Sequence, residues 1–228
     1  MGEEQKERDA ARRVPLTDQA ITWIAEQIAD PERPVGGGAM AGITLAGAAA
    51  SAELVVRFAA RRKANAPQRD EIEEILRRIQ SLRPRFLTGA DQDLDALTRL
   101  LTAQRAVKQA ETPAEREEAR QRLNQATVHA AAIPIELASS ALTLLRLVDR
   151  ALPFATRFTI SDLGVAAGLA NGAIAAALLT SDINIALLAG SPIAEELREA
   201  VTTLRIEGPP LAEVIVERVR GRITGDTE

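Results

Sequence analysis

At 228 residues the chain is long enough to bury a sizeable core in one or two domains. A net charge of −4 and a pI near 5.3 argue against a nucleic-acid partner, and aromatics at 2 % with no Tyr leave nothing for base stacking or aromatic cages. Cysteine is absent, which excludes disulfides, thiolate metal sites and cysteine nucleophiles.

The opening MGEEQKERDAARR is charged and has no apolar segment, so residues 1–15 read as a frayed tail rather than a signal peptide, and a cytoplasmic location is expected. Thr17 is the expected N-cap of a first helix with Ile21, Ile24, Ala25 and Ile28 on its apolar face. Residues 30–34 break it. The stretch PVGGGAMAG follows and leads into an alanine-rich helix over about 39–62. Three consecutive glycines there mean either a sharp backbone turn or a very close approach.

Asn65, Ala66 and Pro67 make a turn. Residues 68–110 carry helical periodicity, with Pro84 and Gly89 marking a kink or break. TPAE at 112–115 is a capping box with Pro at the first helical position. That helix reaches about residue 152 with a kink at Pro134. Ser161 is the expected cap of a helix running to about 189, Ser191 and Pro192 open another, and Pro209 and Pro210 open a short last one. No period-2 pattern occurs. The chain reads as all-α: a bundle of long, partly kinked helices with no sheet, one domain over 16–223, and a tail over 224–228. Two apolar stretches, 39–60 and 163–189, are long enough to span a bilayer. Glu53 and Arg57 in the first and Asp182 and Asn184 in the second favour buried bundle helices, so no membrane partner is expected.

Chemistry-bearing residues are few. The glycines lack the Lys-Ser/Thr of a phosphate loop and follow no strand, so their functional reading is a glycine entry to a helix N-terminus, which favours a carboxylate or phosphate. Asp91, Asp93 and Asp95 are spaced by two, so they do not face one another on a helix; their plain reading is a charged first turn after Gly89. Asp162 stands at a helix start. Asp182 lies inside an apolar run and is expected to be buried or to face a cavity, with a surface spot as the plain alternative. His129 is the single histidine and reads as a helix-face residue. It cannot build a multi-histidine metal site, so no metal is expected.

Five segments in order resemble the cyclodeaminase/cyclohydrolase family. They are the PVGGGAMAG loop, Asp93-Leu-Asp-Ala96-Leu97, Ala130-Ala-Ala-Ile133-Pro134-Ile135, Ser161-Asp162-Leu-Gly-Val165-Ala166-Ala167, and Asp182-Ile183-Asn184-Ile-Ala186. The chain departs from the family pattern at Val35, Ala39, Leu97, Arg157, Asp182 and Ala186. The resemblance covers about residues 16–205. It implies an all-α homodimer that binds a tetrahydrofolate derivative, polyglutamylated forms included, as substrate without a metal or other cofactor. The implied reaction is closure of 5-formiminotetrahydrofolate with release of ammonia, or hydration of 5,10-methenyltetrahydrofolate. It also implies roles for residues. Asp162 and Asp93 would handle protons, while Gly36, Gly37, Gly38, Ser161, Asp182 and Asn184 would bind the ligand. Two other readings stay open: a folate or anionic small-molecule binder without catalysis, and a helical interaction protein whose glycines serve packing alone.

Overall fold

Short connections between long helices force neighbours to run antiparallel. The computed structural model describes residues 18–32 and 35–225. Within them six α-helices follow in chain order: α1 (Ile21–Ala29), α2 (Gly37–Arg61), α3 (Arg69–Gln109), α4 (Pro113–Ala151), α5 (Ile160–Leu187) and α6 (Pro192–Thr224). Two 3-10 turns, Lys63–Gln68 and Leu152–Phe154, carry the chain from α2 to α3 and out of α4. No strand occurs among the described residues. Helices α2, α3, α4 and α5 pack each against the next, and α5 closes the ring against α2; α6 lies along α4 and α5.

Local chemistry sets the ends. Thr112 accepts from the Glu115 amide while the Glu115 carboxylate accepts from the Thr112 amide, so the capping box starts α4 as expected. Ser191 precedes Pro192 at the start of α6, also as expected. The Thr17 cap lies outside the described residues, and the residue preceding α1 in the structure is Ala20. Helix α5 opens one residue before Ser161, from Thr159, and Ser161 is an exposed residue of the first turn rather than its cap.

Two breaks expected at proline do not occur. Helix α3 runs through Pro84 and Gly89 without interruption, so Asp91, Asp93 and Asp95 lie in mid-helix rather than in a first turn. Helix α6 continues through Pro209 and Pro210, so no separate last helix exists. Each proline removes the hydrogen bond to the carbonyl four residues back. In α6 those carbonyls belong to Arg205 and Ile206, both exposed residues, where solvent rather than a buried partner can replace the lost bonds. The buried Gly208 keeps this stretch close to Ile174 of α5.

The core is aliphatic, built from Leu45, Ile72, Ile75, Ile79, Leu144, Leu145, Leu163, Ile174 and Leu178 around the one large buried ring, Phe86. Alanine and glycine make the close seams. A Cβ at Gly42 would lie 2.7 Å from the Phe86 carbonyl oxygen, so α2 and α3 meet backbone to backbone. A carboxylate is buried in this seam. Glu53 accepts from Arg57 at 2.8 Å, Gln80 at 3.2 Å and Arg83 at 3.1 Å. Burial alone would raise its pKa; the hydrogen bonds from Arg57, Gln80 and Arg83 and the charge of Arg57 outweigh it and hold the carboxyl below its ordinary value.

Three stretches, α2, Pro113–Phe154 and α5, are long and apolar enough to cross a membrane by length and composition. Of these, Pro113–Phe154 was not apparent from the sequence. Helix α5 is the least covered of the three.

Candidate functional site

The glycine entry and one aspartate meet at the start of α2. Gly36 is extended at φ −64° and ψ 161° and Gly37 opens the helix. None of the three glycines has positive φ, so the backbone does not need glycine for a left-handed turn. It needs it for room. A Cβ at Gly38 would fall 2.1 Å from Asp93 Oδ1, and one at Gly37 would fall 2.9 Å from Thr180 Oγ1. At Gly36 a Cβ would touch Asp93 Oδ2 and Leu97 Cδ2, each at 3.3 Å. Close approach is therefore the answer to the run of three.

Asp93 is buried, with 4 % exposure. Its Oδ2 accepts from the Ala39 amide at 2.9 Å across fifty-four residues of sequence. Helix α2 thus has a carboxylate at its N-terminus, where the dipole favours one, and that carboxylate is the protein's own. Burial raises the Asp93 pKa and the Ala39 hydrogen bond lowers it; burial dominates and brings it to about 6. A carboxyl in that range is partly protonated near neutrality, which suits an acid/base group.

An apolar cluster includes Ala39, the residue whose amide Asp93 binds. Trp23, Val35, Ile43 and Leu94 pack on a small cluster of Ile24, Ala39 and Ala90, separate from the main core. On α1 the buried position is Ile24 with Trp23 half-buried; Ile21, Ala25 and Ile28, expected on the apolar face, are exposed.

The other expected site residues divide. Asn184 is buried but committed: its amide donates to the Ala130 carbonyl at 3.0 Å and to the Thr180 carbonyl at 3.2 Å. Pro134 has no N–H for the Ala130 carbonyl, so Asn184 supplies the missing donor. Ser181 donates to the neighbouring Ala131 carbonyl at 2.9 Å. Asp182 is not buried as expected. It is a half-exposed partner of Arg205 on α6. At 100° per residue it points about 200° from Thr180, away from the glycines. Asp162 and Ser161 lie in the first turn of α5, about five turns or roughly 27 Å from Thr180. Within one chain they do not share the Asp93 site. His129 is exposed on α4, and no group of acidic residues and histidine among the described residues could hold a metal ion.

Sequence reasoning missed Thr180, Leu94 and Trp23. The first had a signal: Thr180 and Asn184 are polar, four apart, and therefore on one face of an otherwise apolar helix.

The model of the family described as Formiminotransferase-cyclodeaminase matches residues 20–203. The fold is similar to the crystal structure of formiminotetrahydrofolate cyclodeaminase from Thermotoga maritima, with a TM-score of 0.76 and 20 % identity over 92 % of this chain and 98 % of that one. No curated protein matches the sequence.

Proposed function

Because this chain belongs to the formiminotransferase-cyclodeaminase family, and with it to folate one-carbon metabolism, we propose that it closes 5-formiminotetrahydrofolate to 5,10-methenyltetrahydrofolate with release of ammonia. The observation that carries this reading is the buried Asp93 carboxyl held near pKa 6 against the glycine entry of α2. In the reaction N10 attacks the formimino carbon and the carbon–nitrogen bond to the former imine breaks. The imine nitrogen with its own hydrogen, the N10 hydrogen and one added proton leave as ammonia, and a cationic methenyl bridge remains. Asp93 in its acid form donates the proton to the departing nitrogen; as a carboxylate it faces the cation. Gly36 and Gly38 keep backbone rather than side chains against that carboxyl, Gly37 does so against Thr180, and this glycine entry gives the substrate its approach. Hydration of the methenyl bridge, the cyclohydrolase reaction, draws on the same groups and is the second reading.

The active form is a homodimer, and a folate, polyglutamylated forms included, is its small-molecule partner. Support for the dimer comes from α5. Val165, Leu169, Leu179, Ile183 and Leu187 are exposed along one side, with the exposed small residues Gly168, Gly172 and Ala175 between them. Such a face needs cover, and small residues let two helices approach closely. A two-fold axis near Gly172 would run two α5 helices antiparallel and bring Asp162 of the partner subunit toward the Thr180 end, where it can join Asp93. The cytoplasm is the compartment of this reading.

The test is absorbance. Purified protein is mixed with 5-formiminotetrahydrofolate, and the ultraviolet band of the methenyl product is followed against a protein-free control; parallel reactions start from 5,10-methenyltetrahydrofolate. Accelerated appearance of the band supports the deaminase, accelerated loss the hydrolase. A folded protein silent in both overturns the proposal.

A further inference from the structure

A carboxyl that exchanges protons with a substrate must be reached, yet Asp93 is almost fully buried. Some element above it has to move, and the packing says which. Helices α2, α3 and α5 meet around the site through the continuous main core. Helix α1 does not join that core. It is held through the separate Ile24, Ala39 and Ala90 cluster, with Trp23, Val35, Ile43 and Leu94 around it. One member of this cluster bears directly on Asp93. Ala39 gives it its amide hydrogen bond, and Ala90 stands one helical turn before it on α3.

Helix α1 also has little stability of its own. It has nine residues, no side-chain cap, no acidic residue in its first turn and no basic residue in its last. A helix this short is marginal without packing. Only Ile24 is buried, and Ile21 is 85 % exposed.

We propose that α1 is a detachable cover over Asp93, with Trp23 and Ile24 as its inner face, and that it lifts to admit the ligand and reseats over it. The role assigned to the cover rests on the folate reading above; its detachment does not. In the free protein α1 opens on its own while the bundle stays folded, as the weakest-packed elements of a protein do.

The first experiment needs no ligand. Amide hydrogen exchange of the whole chain is expected to show residues 21–29 exchanging at least about 100-fold faster than the interiors of α2 and α3. Protection of α1 equal to theirs overturns the proposal. Ile24→Ala supplies the second readout. Trp23 is the single tryptophan, so its emission reports the cover alone. Ile24→Ala is expected to shift that emission to the red and increase its quenching by acrylamide, with the helix-melting midpoint unchanged. A midpoint lowered as for an ordinary core Ile→Ala change would place α1 in the bundle's cooperative unit and overturn the cover. The third probe is 5,10-methenyltetrahydrofolate. Saturating amounts are expected to slow exchange of residues 21–29 and to blue-shift Trp23. Binding that leaves both unchanged contradicts reseating. Absence of any binding counts against the folate reading, while the exchange of the free protein still decides the cover.

Discussion

The Asn184 amide donates to the Ala130 carbonyl at 3.0 Å, the carbonyl that Pro134 leaves without its helical donor. A proline inside α4 is thus compensated from α5, and the segment around it is tied to the helix that carries Thr180. The relationship predicts a particular non-additivity. Asn184→Ala alone costs about 1–3 kcal/mol, because a buried carbonyl loses its donor. In a Pro134→Ala background the same change costs clearly less, since residue 134 then has an N–H for Ala130. Urea unfolding of the four proteins in this double-mutant cycle measures the coupling; full additivity would separate the two residues.

Gly38 and Gly47 both lie in α2 and should respond oppositely to alanine. At Gly38 the new methyl meets Asp93 Oδ1 at 2.1 Å, so Asp93 or the start of α2 must shift. About 1–3 kcal/mol of destabilisation is expected, as for other overpacked sites, with loss of folate binding. At Gly47 the methyl meets nothing within 4 Å, and the helix gains about 0.5–1 kcal/mol. Thermal melts and folate titration of the two variants check the pair; equal behaviour would mean the glycine entry is not sterically filled by Asp93.

Burial of Asp93 also has a sign in the pH dependence of stability. Its folded pKa, about 6, lies above its ordinary value of 3.8, so the folded state holds the proton more tightly than the unfolded one. The stabilising effect is fully present below about pH 4 and is lost as pH rises through 6. At most about 3 kcal/mol is involved. Asp93→Asn removes the charged form and is expected to be more stable than the natural protein at pH 8, with the difference vanishing below pH 4. Denaturant unfolding at several pH values tests this; a variant less stable at pH 8 would contradict it.

Asp182 and Arg205 are half-exposed, and such pairs contribute about 0–1 kcal/mol. Asp182→Asn is therefore expected to change stability by less than about 1 kcal/mol and to leave folate turnover unaltered. A large loss of turnover would bring Asp182 back into the site.

Much of the architecture was legible because it rests on local chemistry. The capping box at Thr112 and Glu115, the turn around Asn65 and the Ser191–Pro192 start are written in neighbouring residues. The errors came where distant parts of the chain decide. Pro209 and Pro210 read as a break, yet the helix continues through them, and the residues four back, Arg205 and Ile206, are exposed. Asp182 read as buried because its neighbours are apolar, but rotation around α5 turns it toward Arg205. Asp93 and its glycines were both noticed, but no local pattern relates residues 38 and 93. Only the antiparallel register of α2 and α3 brings them together. Asp162 matched the family motif and nonetheless lies at the far end of α5 from Thr180.

The central claim is that Asp93 handles the proton at a folate site, and its most direct test is the turnover of Asp93→Asn. The measurement is kcat for 5-formiminotetrahydrofolate by appearance of the methenyl band, with circular dichroism establishing that the variant is folded. The account predicts a fall of about 100-fold or more, the usual contribution of a positioned acid/base group. A folded Asp93→Asn protein that turns over at the natural rate would contradict it and leave Asp93 as the cap of α2 alone.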